Sequence, residues 1–591
     1  MSNKLCDLET QHRIADALEY IGTQIGKENN ADTSFGDSLV VALIDGTAAG
    51  FKRAMKAYMQ LHGLTDSSTA ADITTQVTGF YDLLQKSFTW DGYVTFADPA
   101  VSSASTGTKG GDNAGLTCVP STAEVAGQDD YAGLPLFACV DCNWVIDSSG
   151  TNPVVQVTAI DGVVGSFKRY DPATFVGVLQ MTGYHYYTNP HEQGNLQYME
   201  GYRIGADASK PHCAPMPEAV LPDGTVRSWM VHGKYTMGKS TAGKATNCSG
   251  AVLWQNLSQT DAQTAAHAIG TAYSGTTAPD LGFLQIMMRL KYASLTLDTV
   301  MLMYQNAGWS WGFPQNFACQ VAETGVKRFL FSTSAATAFF PGMRLRAGAW
   351  SDTSHSWTEA SYSSDAGLKI TAVESVTIDS KAYTAVYVDV PATFDTVVDA
   401  SDASKTTRAT CWLWDTGSTD TVKGNDGALN LTDGRHACKL QGIEIGAGLY
   451  EVLTDTIFKL YQDTTDTTKY YYEPYVVKTA SKQTSTISTD YASAGVKVLQ
   501  PSADNWVWIK ASSWGSDGVL LPTEYGASSS TYMRDQAYLK GGLDNATRAW
   551  LALGYTVSGS VVGLSCLDGV CAPGGRYWGI GARLSPNGTR G

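Results

Sequence analysis

Two pairs of cysteines have spacings from which metal or thiol chemistry can be built. Cys139 and Cys142 form a C-x-x-C pair, the spacing of half a zinc site, but a closed zinc site needs four ligands and no second such pair follows. We therefore expect both to be buried thiols of a strand, on opposite faces. Cys566 and Cys571 lie in the glycine-rich stretch SCLDGVCAPGG. They would form a redox pair only if a nearby cation stabilised a thiolate, and in sequence only Arg576 is close.

Three histidines lie in turns that are rich in aromatic residues or proline. His185 and His191 lie in YHYYTNPHEQGN, and His212 precedes Cys213 in PHCAP. Turns of this kind hold hydrogen-bonded histidines, so we predict neither a metal site nor a catalytic site there. The sequence has no H-E-x-x-H motif. The GAGLY stretch also lacks the third glycine of a dinucleotide-binding turn.

The composition of the 591-residue chain favours a large, strand-rich protein with long surface loops. Hydrophobic residues make up 43% and charged residues only 16%, and there are 59 glycines. A chain of this length is expected to form two to four domains. The formal net charge of −15 argues against nonspecific binding to nucleic acid or to an anionic membrane. The odd number of cysteines, 11, predicts buried thiols rather than a disulfide framework.

The first residues, MSNKLCDLETQHRIADALEYIG, contain no apolar signal core. The sequence also has no apolar run of about 18 residues, the length that a membrane-spanning helix needs. We therefore expect synthesis in a cytoplasm, no export by the usual route and no membrane insertion. A protein whose surface suits recognition outside the cell, but which lacks a secretion signal, fits a virion component that lysis releases.

Periodicity predicts the elements that must position these residues, beginning with helices over residues 8 to about 88. One run covers 37–62, and two apolar stripes at helical spacing flank it. The stripes consist of Ile14, Leu18, Ile21 and Ile25, and of Ile73, Val77, Phe80 and Leu84. We assign residues 1–95 to an N-terminal helical region that docks to other virion proteins. A helical cap on the next domain fits the same pattern equally well.

The helical pattern of the sequence gives way to small and turn-forming residues after FTWDGYVTFADPA. Residues 101–132 are small and turn-forming, which predicts a turn-rich linker and a β segment over 96–150. Further on, short β-type runs alternate with turn residues, and TDAQTAAHAIGTAY and LGFLQIMMRLKYASL have helical patterns. We expect a ligand-binding domain over 151–591, with a strand-rich insertion at about 336–412.

The order of the later segments resembles the C-type-lectin-like fold of the formylglycine-generating-enzyme type. In that family a helix pair precedes a segment like GIExxxGNxxExxDG, and a Gly-Gly strand leads to a terminal strand that reads NIGFR or NIGAR. The matching residues here are Gly442, Ile443, Glu444, Gly448, Glu451, Asp455, Gly541, Gly542, Ile580, Gly581, Ala582, Arg583 and Leu584. The resemblance covers about residues 150–591. It implies an α+β fold class: an N-terminal helical segment, then a large C-type-lectin-like domain with a β-rich insertion.

The end of the chain is similar to one subgroup, the variable proteins of diversity-generating retroelements, which include phage tropism determinants. In that subgroup, mutation directed at adenines changes codons just upstream of a constant W-x-IGARL ending. The resemblance implies a variable region at about 545–591, with a constant scaffold of Trp578, Ile580, Gly581, Ala582, Arg583 and Leu584. It implies ligand-binding, variable positions at Tyr555, Ser558, Ser560, Asp568, Val570, Cys571, Gly575, Arg576, Tyr577 and Gly579.

The physical properties of these residues also favour an exchangeable surface beside a constant strand. A surface that accepts many side chains should contribute little to folding and should project from a scaffold fixed elsewhere. Trp578, Ile580 and Leu584 alternate on one side and can anchor a strand. Arg576 and Tyr577 precede them, and both residue types are effective anchors at interfaces.

The resemblance implies a ligand-binding protein of phage origin rather than an enzyme. It would be displayed on a virion or tail-fibre tip and bind a bacterial surface protein or glycan. A homotrimer follows by analogy, and repeated copies would raise a modest affinity. No catalytic residue or cofactor is predicted, and a structural Ca²⁺ ion is left open.

Two alternatives remain. One is a tail or capsid decoration protein without a receptor. The other is a thiol oxidase of the formylglycine-generating type that uses Cys566 and Cys571. In this sequence the stretch KGGLDN lacks the Ser-Trp pair that accompanies the cysteines of those enzymes.

Overall fold

The computed structural model describes residues 46–591, apart from positions 123, 302–316, 352–355, 360–365, 423–427, 433, 543–545, 556–557 and 559–562. Within these residues the chain is mixed, with few helices and many short strands, which is consistent with an α+β or a β-rich fold. The helices are α1 (Ala48–Leu61), α2 (Ala70–Ser87), α3 (Gln259–His267) and α4 (Ala278–Tyr292). None of the described helices is both long enough and apolar enough to cross a bilayer.

Helix α2 confirms one predicted apolar stripe and packs it into the main core. It begins at a capping box in which Thr69 and Asp72 exchange side-chain and main-chain hydrogen bonds. The stripe from Ile73 to Leu84 is fully buried. Trp229 Nε1 donates to Thr78 Oγ1 at 2.9 Å, which ties the helix to a sheet beneath it. Helix α2 thus packs on that sheet, whereas the stripe at residues 14–25 lies outside the described residues.

Two antiparallel sheets follow these helices. Across the first sheet the strands are β10 (Ala214–Pro215), β8 (Tyr184–Thr188), β9 (Gln197–Arg203), β1 (Asp91–Ala97) and β2 (Thr108–Gly111). Across the second they are β11 (Trp229–Gly233), β7 (Phe175–Met181), β5 (Cys139–Asp147) and β6 (Val154–Ile160). Two short ribbons pair β3 (Cys118–Val119) with β4 (Gln128–Asp129), and β12 (Gly238–Lys239) with β13 (Ala245–Thr246).

Most residues of the segment 101–132, which the sequence predicts to be a turn-rich loop or linker, are exposed or half-buried, but a few are buried. Tyr131 and Asn113 are both 0% exposed. The Tyr131 hydroxyl donates to Asn113 Oδ1 at 2.6 Å, and Asn113 Nδ2 donates to the carbonyl of Leu290 in α4 at 3.0 Å. Polar side chains, rather than an apolar stripe, hold these two residues of the segment in place.

The predicted insertion is a separate sheet with wider bounds than expected, from Phe317 to Trp414. Its strands are β14 (Phe317–Ala318), β15 (Arg328–Phe331), β16 (Met343–Ser351), β17 (Ser356–Glu359), β18 (Leu368–Ile378), β19 (Lys381–Asp389) and β20 (Thr407–Trp414). They are ordered β14-β20-β16-β18-β19-β15, and β17 pairs with β16. Buried residues such as Phe329 and Phe331 form a core of its own.

The largest sheet is formed by the C-terminal part of the chain, after a ribbon of β21 (Cys438–Leu440) and β22 (Ile443–Ile445). Its strands are β23 (Tyr450–Gln462), β24 (Tyr470–Val477), β25 (Tyr491–Ser493), β26 (Val498–Leu499), β27 (Asn505–Trp514), β28 (Leu520–Tyr525), β29 (Gln536–Leu539), β30 (Thr547–Ala552), β31 (Leu567–Asp568) and β32 (Ile580–Gly581). The order is β25-β24-β23-β30-β31-β29-β27-β28, with β26 beside β24 and β32 beside β23. Gln259 of α3 donates to the carbonyls of Leu453 and Thr456, so the helices abut β23.

Candidate functional site

A buried ion pair between Arg583 and Glu451 fixes the end of the chain. Arg583 Nη2 and Glu451 Oε1 are 2.6 Å apart, and each side chain is 2% exposed. The same guanidinium donates to the carbonyls of Gly233, Lys234 and Glu444 over distances between 2.6 and 3.2 Å. A buried ion pair is stable when its remaining donors and acceptors are satisfied. These bonds therefore fix the backbone on both sides of Arg583.

The middle motif supplies the acceptors for the arginines at the chain end. Glu451 also accepts from the hydroxyls of Thr236 and Thr276, at 3.0 and 3.1 Å. Asp455, four residues further along β23, forms an ion pair with Arg590. Arg590 Nη2 and Asp455 Oδ2 are 2.8 Å apart, and both side chains are 0% exposed. Two acidic positions of one strand thus anchor the last residues of the chain.

The scaffold residues of β32 lie in the core. This strand runs parallel to the first residues of β23. Ile580 and Leu584 are both 0% exposed, as the alternation predicts. A Cβ atom at Gly581 would lie 2.8 Å from Cδ1 of Leu449 and 3.1 Å from the carbonyl oxygen of Trp254, so there is little room for a side chain there.

Trp578 links the C-terminal strand to the insertion. Its ring lies against Trp412 near the end of β20, with the ring centroids 4.5 Å apart and the planes at 33°. The Trp578 side chain is half-buried and packs on a small cluster that includes Leu253, Leu413 and Leu449. It therefore anchors the residues that precede it, as expected of a scaffold residue.

Residues 571–577, which we call the display segment, are held through their main chain. The carbonyl of Cys571 accepts from the amide of Ala549 at 2.8 Å, and the carbonyl of Pro573 accepts from the amide of Thr260 at 3.3 Å. On the segment's side, each hydrogen bond to the described remainder of the chain uses a main-chain atom. The path of the segment is thus set by bonds that do not depend on which side chains it carries.

The predicted variable positions differ in exposure. Arg576 is exposed, and the half-buried positions are Tyr555, Ser558, Val570, Cys571, Gly575 and Tyr577. Asp568 and Gly579 are buried, contrary to the expectation of display. Asp568 belongs to β31, between β29 and β30. The place of a Cβ at Gly579 is occupied by the rings of Tyr555 and Tyr577, at 2.7 and 2.8 Å. Ser560 lies outside the described residues.

Tyrosine rings form a cluster beneath the display segment. Tyr555 stacks on Tyr450, with the centroids 4.8 Å apart, and meets the edge of Tyr577 at 6.0 Å and Trp578 at 5.3 Å. The Tyr450 hydroxyl is buried and has no hydrogen-bond partner among the described residues. A buried hydroxyl without a hydrogen-bond partner destabilises the folded state. Unsatisfied polar groups of this kind occur at functional sites.

The carboxyl group of Asp568 is buried without a cation. Its Oδ1 accepts from the amide of Val570 at 3.0 Å. Burial raises the pKa of this group to about 6. In the described part of the chain no lysine or arginine side chain forms an ion pair with it. A desolvated and unpaired carboxylate marks a candidate functional group.

The thiols are in environments that disfavour thiolate chemistry. Burial raises the pKa of Cys571 to about 12 and that of Cys566, which is 0% exposed, well above its usual value. Cys139 and Cys142 are buried in β5, which confirms the prediction of buried thiols. Burial raises the pKa of Cys139 to about 12.

The three histidines pair with carboxylates, which confirms that they are hydrogen-bonded. The pairs are His185 with Glu200, His191 with Asp98 and Glu524, and His212 with Glu192, all at 2.5–2.9 Å. Across the residues that the structure describes, no group of three or more His, Cys, Asp or Glu side chains is arranged to hold a metal ion.

One set of aromatic residues near the site was missed by sequence reasoning. Trp506 and Trp508 lie in β27, and Tyr538 in β29 lies directly opposite Trp506. Tyr538 in turn lies opposite Asp568 in β31. The alternation in NWVWIK was a usable signal for a strand with both tryptophans on one side, but the sequence does not reveal which strands are neighbours.

Comparison with known proteins adds no relative: no protein-family model matches this chain, and no curated protein matches it.

Proposed function

We propose that this protein is a ligand-binding protein of the diversity-generating retroelement type, with a C-type-lectin-like fold. It is displayed on a phage virion or tail-fibre tip and binds a bacterial surface receptor through residues 555–579. The protein is not an enzyme in this proposal, and its N-terminal region attaches it to other virion proteins.

The observation that carries the proposal is how the display segment is held. Its carbonyls accept hydrogen bonds from β30 and α3, and its side chains form no hydrogen bond in the described part of the protein. Arg576 makes a long contact of 3.6 Å with Asp261, and its side chain is 59% exposed. A pair so exposed contributes little to stability. Side chains there can change while the backbone keeps its path.

The scaffold next to it has the opposite property, which also supports the proposal. The Arg583 side chain contacts Glu451 and three carbonyls in the interior. Replacement of such a residue leaves a buried charge without a partner and destabilises the fold. An unchanging IGARL ending beside exchangeable residues is what a diversified binding surface requires.

The sheet order supports the fold assignment. Helices α3 and α4 precede β23, and the terminal strand β32 lies beside it. Glu451 and Asp455, the acidic positions of the middle motif, contact Arg583 and Arg590. The middle motif and the C-terminal residues are thus in mutual contact rather than scattered over the molecule.

The DNA around the coding sequence tests the diversification. We expect a reverse-transcriptase gene and a near-copy of the codons for residues 545–591 that differs only at adenines. A neighbourhood without either, together with invariant codons at 555–579 in clonal populations, would contradict the proposal and favour a decoration protein without a receptor.

Adsorption of the labelled full chain to bacterial cells tests the binding. We expect saturable adsorption to some strains and its loss in Arg576→Glu, with Tyr170→Ala as a matched control because Tyr170 is exposed far away in sequence. Adsorption that is absent from all strains, or that is equal in both variants, would contradict receptor binding by the display segment.

A further inference from the structure

A buried lysine and a buried asparagine share one carboxylate oxygen at the end of helix α4. Lys291 Nζ donates to Asp129 Oδ2 at 3.0 Å, and Asn430 Nδ2 donates to the same oxygen at 2.7 Å. The Lys291 side chain is 0% exposed, and Asn430 is 3% exposed. The amine and the side-chain amide are therefore no more than two hydrogen-bond lengths apart. We call Lys291, Asp129 and Asn430 the Lys-Asp-Asn triad.

Three separate elements position the triad. Lys291 lies in the last turn of α4, and Asp129 lies in β4, where it is paired with Cys118 of β3. Asn430 precedes β21, and its main-chain carbonyl accepts from the amide of Ser121 at 3.0 Å. The backbone therefore fixes each member, and their meeting does not depend on the side-chain contacts alone.

Aromatic rings enclose the amine of the triad. Lys291 Nζ lies 5.3 Å from the ring centroid of Tyr131 and 6.0 Å from that of Phe137, and both residues are 0% exposed. The Asp129 side chain is 15% exposed, so the triad opens to solvent on the carboxylate side. A dry floor keeps water from competing for a reacting carbon, and the open side gives a small product a way out.

The hydrogen bonds of the lysine are too few for a buried ammonium group. An ammonium carries three donors. In the described part of the chain, Lys291 Nζ donates only to the two oxygens of Asp129, at 3.0 and 3.4 Å. Burial of a charge with unsatisfied donors is costly. A secondary amide at this nitrogen would carry one N–H and no charge, and one carboxylate would satisfy it.

The amide of Asn430 is oriented for attack on its carbon. Its Oδ1 accepts from the main-chain amide of Gln441 at 3.1 Å, and its Nδ2 donates to Cys118 Sγ at 3.5 Å as well as to Asp129. Only this orientation gives both ends of the amide a partner. A main-chain N–H at the carbonyl oxygen stabilises the negative charge that develops there when a nucleophile adds to the carbon.

We infer that Lys291 and Asn430 form an intramolecular isopeptide bond, with Asp129 as the proton carrier. Asp129 takes a proton from the Lys291 ammonium, and the electron pair of Nζ then attacks the amide carbon of Asn430. The new bond joins Nζ to Cγ, the bond from Cγ to Nδ2 breaks, and Asp129 returns the proton to the leaving nitrogen. An ammonium and a primary amide thus become a secondary amide and an ammonium ion, and no oxidant is consumed.

The position of this bond gives it a structural consequence. Lys291 precedes the insertion Phe317–Trp414, and Asn430 follows it. The bond therefore closes a covalent loop that contains the whole insertion. A closed loop limits how far the chain can extend when it unfolds, which stabilises the folded state. This inference goes beyond the proposed function and does not depend on it.

The intact mass of the denatured full chain tests the inference. We expect a mass lower than that of the sequence by one ammonia molecule, and a tryptic digest in which the peptide of Lys291 is joined to that of Asn430. Lys291→Arg and Asp129→Ala should each have the full mass of their own sequences. Lys234→Arg is the matched control and should keep the bond. Lys234 pairs with Asp141 at 2.6 Å, but the second partner of that carboxylate is Arg169 rather than an amide.

The conservative variant Asn430→Asp distinguishes the bond from other losses of mass. It should form the same bond with release of water, so its cross-linked mass should equal that of the cross-linked wild type. A wild-type mass equal to that of the sequence overturns the inference. A loss of water that joins Lys291 to Asp129 also overturns it, because the carboxylate would then be the group attacked. Circular dichroism shows whether each variant is folded.

Discussion

The scaffold strand and the display segment are adjacent in the chain but are held in opposite ways. In the scaffold, side chains carry the contacts, as in the pair of Arg583 with Glu451. In the display segment, main-chain carbonyls such as those of Cys571 and Pro573 carry them. The comparison teaches that a protein can keep a loop in one place while leaving its side chains free, provided that its hydrogen bonds come from the backbone.

The largest effect that this comparison predicts concerns Arg583. Arg583→Ala should lower the free energy of unfolding by about 3–5 kcal/mol, because Glu451 would be left buried without its partner. Arg576→Ala, a change of the same residue type seven positions earlier, should stay within about 0.5 kcal/mol. Denaturant unfolding measures both. Similar losses in the two variants would remove the distinction between the regions.

Trp578→Ala should lower the free energy of unfolding by about 2 kcal/mol, because the half-buried ring of Trp578 would no longer contact Trp412. Trp506→Ala is the matched control, because that ring packs outside the core and should cost well under 1 kcal/mol. Thermal and denaturant unfolding would compare the two. A larger loss of stability in Trp506→Ala would show that the Trp506 ring, rather than the Trp578 ring, stabilises the fold.

Asp568→Asn should stabilise the protein at neutral pH by on the order of 2 kcal/mol. Burial raises the pKa of Asp568 from 3.8 to about 6, so the folded state holds this proton more tightly than the unfolded chain does. The stability of the wild type therefore falls as the pH rises from about 4 to 6, and the variant lacks that fall.

Unfolding of both proteins at pH 4 and pH 7.5 checks this sign. The two should be nearly equal at pH 4, and the variant should be more stable at pH 7.5. A variant that is less stable at pH 7.5 would show that the carboxylate is structural. Stability gained together with lost binding is the usual signature of a functional group held at a cost to the fold.

The smallest effects should come from the display segment itself. Gly574→Ser should change stability by less than about 0.5 kcal/mol, because Gly574 is exposed and no atom lies within 4 Å of a Cβ placed there. Gly581→Ser is its control in the scaffold and should be destabilising, since this position is buried and its Cβ would lie 3.1 Å from the carbonyl oxygen of Trp254. Protease resistance of the two variants compares them directly.

Local patterns predicted much of the secondary structure. The apolar stripe from Ile73 to Leu84 predicted α2, and hairpin signals predicted the insertion, although short strands such as β14 and β15 extend it toward its N-terminal side. Within the segment 101–132 the sequence did not reveal that Asn113 and Tyr131 are buried through hydrogen bonds. Polarity alone does not reveal a buried and satisfied polar group.

The site was harder to predict because it depends on contacts between distant strands. The motif order identified Glu451 and Arg583, but their contact joins residues 132 positions apart. Asp568 was expected at the surface, whereas β29 and β30 flank it. The pairing of Trp506 in β27 with Tyr538 in β29 was missed for the same reason, since sequence alternation shows which side chains share a face but not which strands are paired.

A substitution scan over residues 565–591, scored by protease resistance of the full chain, tests the central claim most directly. The account predicts broad tolerance at residues 571–577, intolerance at residues 580–584, and polar but neutral replacements of Asp568 among the most resistant variants. Equal intolerance in the two stretches would contradict it, because the side chains of the display segment would then be part of the fold.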